Sequence, residues 1–146
     1  RVLDSQEWIR AGLAQKWAMR QWLFARAGQR NAFYVPTFQN DYLLLQTIAD
    51  VATSMVVGPT DEVAPLDIYI ELNDGTQFVR RVSGIVPNPS LPQEQWTFDV
   101  ALGQEVLVSD IRFLSRLRYM RQTSDQIKLT HRMPHITEAT VPLTTV

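Results

Sequence analysis

Hydrophobic and polar positions divide the chain into one helical stretch followed by a long series of strand-like runs. Near the N-terminus Ile9, Leu13, Trp17 and Phe24 recur at helical spacing, and Trp8, Met19, Trp22 and Leu23 recur on a second face. Asp4 followed by Glu7 has the spacing of a capping box, with Leu3 and Trp8 at the positions of a hydrophobic staple. The pattern predicts a helix over 5–27, closed by Gly28, with Arg26 and Arg30 at the negative end of its dipole. A helix with one core needs one apolar stripe. Two stripes, split by Lys16 and Arg20, leave two outcomes: burial on both sides, or a second stripe (Trp8, Met19, Trp22, Leu23) that meets another chain.

From residue 31 onward the period changes to that of strands. Runs over 31–37, 42–47 and 51–57 are rich in aromatic, aliphatic and β-branched residues, and Gly58-Pro59 stops the last; residues 42–45 also fit a helix. Leu66, Ile68, Ile70 and Leu72 alternate with Asp67, Tyr69 and Glu71, and Asn73-Asp74-Gly75 turns the chain into a second run over 76–86. A three-residue loop with Gly75 left-handed sets Phe78 opposite Ile70 and Val82 opposite Leu66, at the cost of Arg80 opposite Ile68.

Three prolines keep 87–92 out of a ladder and predict a projecting loop whose Pro89 and Leu91 touch a neighbouring chain. Trp96, Phe98 and Val100 share one face of a run over 96–102. Ile111, Phe113, Leu117 and Tyr119 then alternate with Arg112, Leu114, Arg116, Arg118 and Met120, which predicts the first set inward and the arginines outward. Runs over 126–131 and 136–143 finish the chain, broken by Met133-Pro134. One helix and about seven to nine short strands without β-α-β spacing predict a mainly β (α+β) fold. The expected architecture is an antiparallel β-barrel or sandwich with one N-terminal amphipathic helix, in a single structural domain over 1–146 whose β-rich part is 31–146.

Composition narrows the function. At 146 residues and 45% hydrophobic, the chain is long enough to bury a sizeable core. A formal net charge of −1 argues against whole-chain attraction to nucleic acid or an anionic membrane. No stretch approaches the ~20 apolar residues of a membrane-spanning helix, and the chain reads as soluble. It opens on Arg1 without a signal-peptide pattern and is expected to be the C-terminal part of a longer protein. Twelve of the fourteen basic residues are arginine. Arginine is enriched at interfaces where lysine is depleted, although the base composition of a genome produces the same bias.

Candidate chemistry is sparse. The absence of cysteine excludes disulfides, thiolate metal sites and cysteine nucleophiles. His131 and His135 have a ligand-like spacing, but Pro134 lies between them and no third ligand completes a zinc site. Asp61-Glu62, Glu71 and Asp74 fall in a loop and a hairpin, where ordinary solvation accounts for them. No phosphate loop, nucleophile elbow or dinucleotide fingerprint is present, so no enzyme activity, cofactor or metal is expected. Arg112, Arg116, Arg118 and Arg121, with Arg80 and Arg81, form the one basic cluster. Single-strand binders place such a cluster beside stacking aromatics, which makes a small oligonucleotide-binding β-barrel the alternative function. Phe113 and Tyr119 are predicted on the opposite face, which favours arginines that bond protein partners.

The run Phe24, Arg26, Gly28, Arg30 and Ala32-Phe33-Tyr34-Val35-Pro36-Thr37 resembles the helix-end and aromatic-proline signature of a family of bacteriophage tail proteins. Asn73-Asp74-Gly75-Thr76, Arg80-Arg81-Val82, Ile111-Arg112-Phe113-Leu114, Arg121, Ser124-Asp125, Ile127 and Leu129 are similar to that family in order and spacing. The resemblance spans nearly the whole chain. It implies a structural virion component of the tail tip, baseplate or distal tail, assembled in the host cytoplasm as a ring around the tail axis. Its partners would be copies of itself and neighbouring tail proteins, with no membrane and no specific nucleic acid, although DNA passes through the lumen. The interface residues expected from the sequence are Trp8, Met19, Trp22, Leu23, Pro89, Leu91, Arg112, Arg116 and Arg118.

Overall fold

The computed structural model describes residues 3–26, 29–125, 127–133 and 136–146, with the backbone alone for 3–11, 13 and 131–133. Its elements in chain order are β1 (Leu3–Ala11), α1 (Leu13–Ala25), β2 (Phe33–Pro36), β3 (Ser54–Val57), β4 (Leu66–Leu72), β5 (Gln77–Pro87), β6 (Glu94–Phe98), β7 (Ile111–Gln122), β8 (Leu129–Met133) and β9 (Ile136–Thr145). The fold is mainly antiparallel β-sheet with a single α-helix among the described residues, the class the residue pattern predicts. Where the sequence reads as one domain, the contacts group into two compact units. One draws on Arg1–Val35 and Tyr119–Val146, the other is Pro36–Arg118.

The Pro36–Arg118 unit is built on the strand order β3-β6-β5-β4-β7. The β4–β5 hairpin has the predicted register, with Phe78 opposite Ile70, Val82 opposite Leu66 and Arg80 opposite Ile68. Leu72 N donates to Thr76 O at 2.9 Å around the three-residue loop, and Gly75 sits at φ 89, a conformation that side-chain-bearing residues rarely adopt. Residues 42–45 are neither a helix nor a full strand. They bond to both ends of the strand order: Tyr42 N donates to Leu114 O on β7, and Leu45 N donates to Val56 O on β3. This linkage wraps the sheet around a core in which Ile48, Val57, Ile68, Ile70, Val82, Trp96, Val106 and Leu114 are essentially inaccessible to solvent.

The predicted inward and outward sets of β7 need correction. A bulge between Glu71 and Leu72 sets Ile111 opposite Leu72 but Phe113 opposite Glu71. One extra residue on a strand exchanges its faces. From Phe113 onward the odd positions therefore lie on the outer side of the sheet, while Leu114 joins the core with Ile70. That outer side is covered as well. Phe38 sets its ring 5.8 Å from Tyr69 and 6.4 Å from Phe113, and Ser115 Oγ donates to Gln39 O, so Tyr69, Glu71 and Ser115 are all buried.

In the other unit, residues 3–11 form a strand instead of the first third of a helix over 5–27. β1 pairs with β9 along its whole length, from Leu3 opposite Thr144 to Ala11 opposite Ile136. Gly12 then takes φ 90 and ψ 155, outside any helix, so a helix cannot run through it and α1 begins at Leu13. Asp4 and Glu7 stand opposite Leu143 and Thr140 in the ladder, and they do not cap a helix. α1 ends at Ala25 with Arg26 as its C-cap; the predicted end at Ala27 and Gly28 lies outside the described residues, as do Pro134 and His135 of the dismissed zinc pair. The core here is Phe33, Val35, Met120, Val141 and Leu143, with Trp22, Leu23 and Ile127 packed on it.

Candidate protein interface

Helix α1 touches its own core through half-buried Trp22 and Leu23, and Met19 on the same side of the helix is buried. Trp22 meets Phe33 edge-on at 4.9 Å, and the Arg26 guanidinium lies 4.9 Å from the Trp22 ring. The stripe expected to face another chain is therefore the one that holds the helix down. This rotation turns the other stripe outward, leaving Trp17 52% and Phe24 72% exposed.

Ala14, Gln15, Ala18, Gln21 and Ala25 are exposed beside them, so no exposed position from Ala14 to Ala25 carries a charge. Solvated helix faces are normally rich in charged residues, and large apolar side chains grouped on a surface mark contact sites. Lys16 and Arg20 are half-buried at the margin of this face, and the helix has no acidic residue. Arg20 reaches across it, its guanidinium 5.1 Å from the Trp17 ring and 5.9 Å from the Phe24 ring. Tryptophan and arginine set among small uncharged neighbours are the composition of an interface hot spot.

A second exposed aromatic group lies in the same unit. Tyr34 on β2 and Tyr119 on β7 place their rings 4.9 Å apart at a tilt of 44° and are 53% and 48% exposed. Tyr119 was expected in the core. Met120 occupies that place, fully buried, and Arg121 is exposed on the Tyr119 side of the strand.

The Pro36–Arg118 unit contributes an open groove of about 580 Å³. Val63, Ala64, Gly84, Ile85 and Pro87 give it apolar walls, and Asp61, Glu62 and Glu94 give it three carboxylates. Glu94 is buried and accepts from Trp96 Nε1 at 2.9 Å, Thr60 Oγ1 at 2.9 Å and Thr60 N at 3.0 Å. Burial alone pushes its pKa up, but the Trp96 and Thr60 donors outweigh burial and hold it below the ordinary glutamate value. Glu62 accepts from Tyr42 Oη at 2.9 Å and from Arg116 Nη1 at 3.1 Å. Asp61 is exposed and forms no ion pair among the described residues.

The structure distributes the residues expected at an interface unevenly. Trp8 lies on β1 opposite Ala139. Met19, Trp22 and Leu23 belong to the core side of α1. Arg112 bonds Glu71 at 3.0 Å and Arg116 bonds Glu62 at 3.1 Å, so two of the three arginines expected to meet a neighbour's carboxylates are paired within the chain. Glu71, expected to be solvated, is buried and accepts from Tyr69 Oη as well. Arg118 is half-buried and forms no ion pair among the described residues. Pro89 and Leu91 are exposed in the tight link between β5 and β6. Pro87 ends β5 opposite Glu94, and Asn88 Oδ1 accepts from the Ser90 and Leu91 amides.

Trp17, Arg20 and Phe24 were missed because a helix begun after Gly12 still carries both apolar stripes, and the one that is buried is set by packing of Trp22 and Leu23 on the core around Phe33. Among the described residues no group of three or more potential metal ligands occurs, and no helix is long and apolar enough to cross a membrane. No protein-family model and no curated protein matches the sequence.

Proposed function

We propose that this chain is a structural, non-catalytic component of a bacteriophage tail, at the tail tip, baseplate or distal tail. It assembles through protein–protein contacts into a ring around the tail axis and resides in the virion. The observation that carries this reading is the uncharged face of α1 with Trp17 and Phe24 in solvent, on a helix whose opposite side already packs on its own core. A face of that composition is stable in water at low concentration but gains from being covered. The order of short motifs from Phe24 to Leu129 supplies the tail assignment. Electron microscopy of the purified chain tests it: the expected result is closed rings of uniform diameter, and particles that remain monomeric at every concentration sink the proposal.

One observation favours the alternative, a small oligonucleotide-binding β-barrel module. Tyr34 and Tyr119 pair two exposed aromatic rings, and exposed Arg121 follows on the Tyr119 side of β7, the residue types a single-strand stacking platform requires. Binding to single-stranded DNA that weakens steeply with salt and is lost in Tyr119→Ala supports that module. Association unaffected by DNA supports the structural reading.

A further inference from the structure

We infer that the uncharged face of α1 in one copy docks into the acidic groove between Asp61 and Glu94 of the next copy, as a head-to-tail contact. This names the contact behind the ring reading and rests on that reading. The helix face offers two large aromatic side chains with cations at its margin and no carboxylate. Antiparallel self-pairing of two such faces would set Lys16 and Arg20 of both copies along one edge, and parallel self-pairing would leave them facing a margin with no acid. The partner must therefore combine an apolar lining with negative charge.

The groove has that combination. Val63, Ile85 and Pro87 give it walls that an aromatic ring can contact, and its volume of about 580 Å³ admits an indole or a phenyl group. Glu94 keeps its charge at neutral pH because Trp96 and Thr60 hold its carboxylate ionised. Asp61 is exposed at the wall with no cation of its own among the described residues, and Arg20 of the incoming helix supplies one. A desolvated arginine–carboxylate pair beside an aromatic anchor sets register as well as affinity. Two different patches meeting in this way repeat around an axis, which closes into a ring when the rotation permits.

Sedimentation velocity of the full chain and two double variants tests the contact. Trp17→Ala with Phe24→Ala removes the helix face and leaves the groove. Asp61→Lys with Val63→Arg reverses the groove and leaves the helix face. All four positions are exposed, so both variants should melt like the wild type, as circular dichroism will check. Each alone should associate about a hundredfold more weakly than wild type. An equimolar mixture should form dimers and nothing larger, because only one intact face and one intact groove then remain per pair. Arg20→Asp combined with Asp61→Arg should restore part of the association that either change removes. A groove variant that assembles like the wild type, or a mixture without dimers, overturns the proposed contact while leaving the ring reading intact. A wild-type chain that never associates overturns both.

Discussion

Tyr42 Oη donates a hydrogen bond of 2.9 Å to Glu62 Oε1, the same oxygen that takes Arg116 Nη1 at 3.1 Å. Tyr69, Glu71 and Arg112 form a similar trio on the outer side of the sheet, with the phenol on Oε2 and the guanidinium on Oε1. Each carboxylate is thus bonded to a phenol and a guanidinium. Burial first, and then the bonded carboxylate, push both phenols well above their ordinary value of 10.0.

Alkaline stability should follow. The folded state keeps the Tyr42 proton at a pH where the unfolded chain has lost it, so this contribution is complete below about pH 10 and is lost as pH rises above it. Tyr42→Phe should cost about 1–3 kcal/mol at neutral pH, the scale of a bond to a charged group. It should also flatten the fall in stability above pH 10. Urea midpoints across that range measure both effects, and an equal alkaline decline in variant and wild type would show that Tyr42 is not responsible.

Glu94 gives the opposite sign. Its carboxylate sits below its ordinary value of 4.5 because the Trp96 and Thr60 donors outweigh burial, so its stabilisation is present above about pH 4.5 and is lost as pH falls through the folded value. Glu94→Gln keeps the shape but replaces one acceptor oxygen by a donor, leaving either the Thr60 amide, which bonds Oε1, or Trp96 Nε1, which shares Oε2 with Thr60 Oγ1, unmatched. Stability at neutral pH should fall by about 1–3 kcal/mol. The gap between variant and wild type should narrow in acid. Thermal melts at neutral pH and below pH 4 compare the two, and a gap independent of pH would assign the loss to packing alone.

The β4–β5 hairpin was legible residue by residue because alternation and the Asn73-Asp74-Gly75 turn fix the same register. β7 was legible as a strand but not in its facing, since the bulge that exchanges its faces lies opposite Leu72 and depends on a pairing 40 residues away in sequence. β1 was misread because Asp4 and Glu7 satisfy a local helix signal, whereas the ladder with β9 is a contact across the whole chain. The arginine partners Glu62 and Glu71 were unreadable for the same reason. Taking Gly12 as a break gives the start of α1, but its exposed face depends on the contact of Trp22 with Phe33.

The two tryptophans of α1 should separate folding from association. Trp22 packs on Phe33 and the core beside it, and Trp22→Ala should cost about 2–4 kcal/mol, somewhat less than the loss of a fully buried indole. Trp17 is half exposed and leans on Arg20, so Trp17→Ala should change stability by no more than about 0.5 kcal/mol. Association should respond in the reverse order. Thermal melting and sedimentation of both variants give the comparison, and a Trp17→Ala chain that melts as early as Trp22→Ala would mean that both stripes serve the fold.

Arg116→Glu should act on the fold before it acts on any assembly. The guanidinium bonds Glu62 at 3.1 Å, and the Arg116 amide donates to Asp41 Oδ2 at 2.9 Å, so a carboxylate at this position meets two others with no cation between them. Glu62 then keeps its bond to Tyr42 but loses its counter-charge in a half-buried setting. The pair is about half exposed on the arginine side, which limits the loss to roughly 1–2 kcal/mol. Arg116→Gln, which removes the charge without adding a like one, should cost less. Adding Glu62→Lys to Arg116→Glu restores opposite charges and should recover part of the loss in urea denaturation of the chain diluted to its monomer. If Arg116→Glu leaves that monomer as stable as the wild type and weakens only association, the arginine meets a neighbouring subunit, as its place on an arginine-rich strand first indicated.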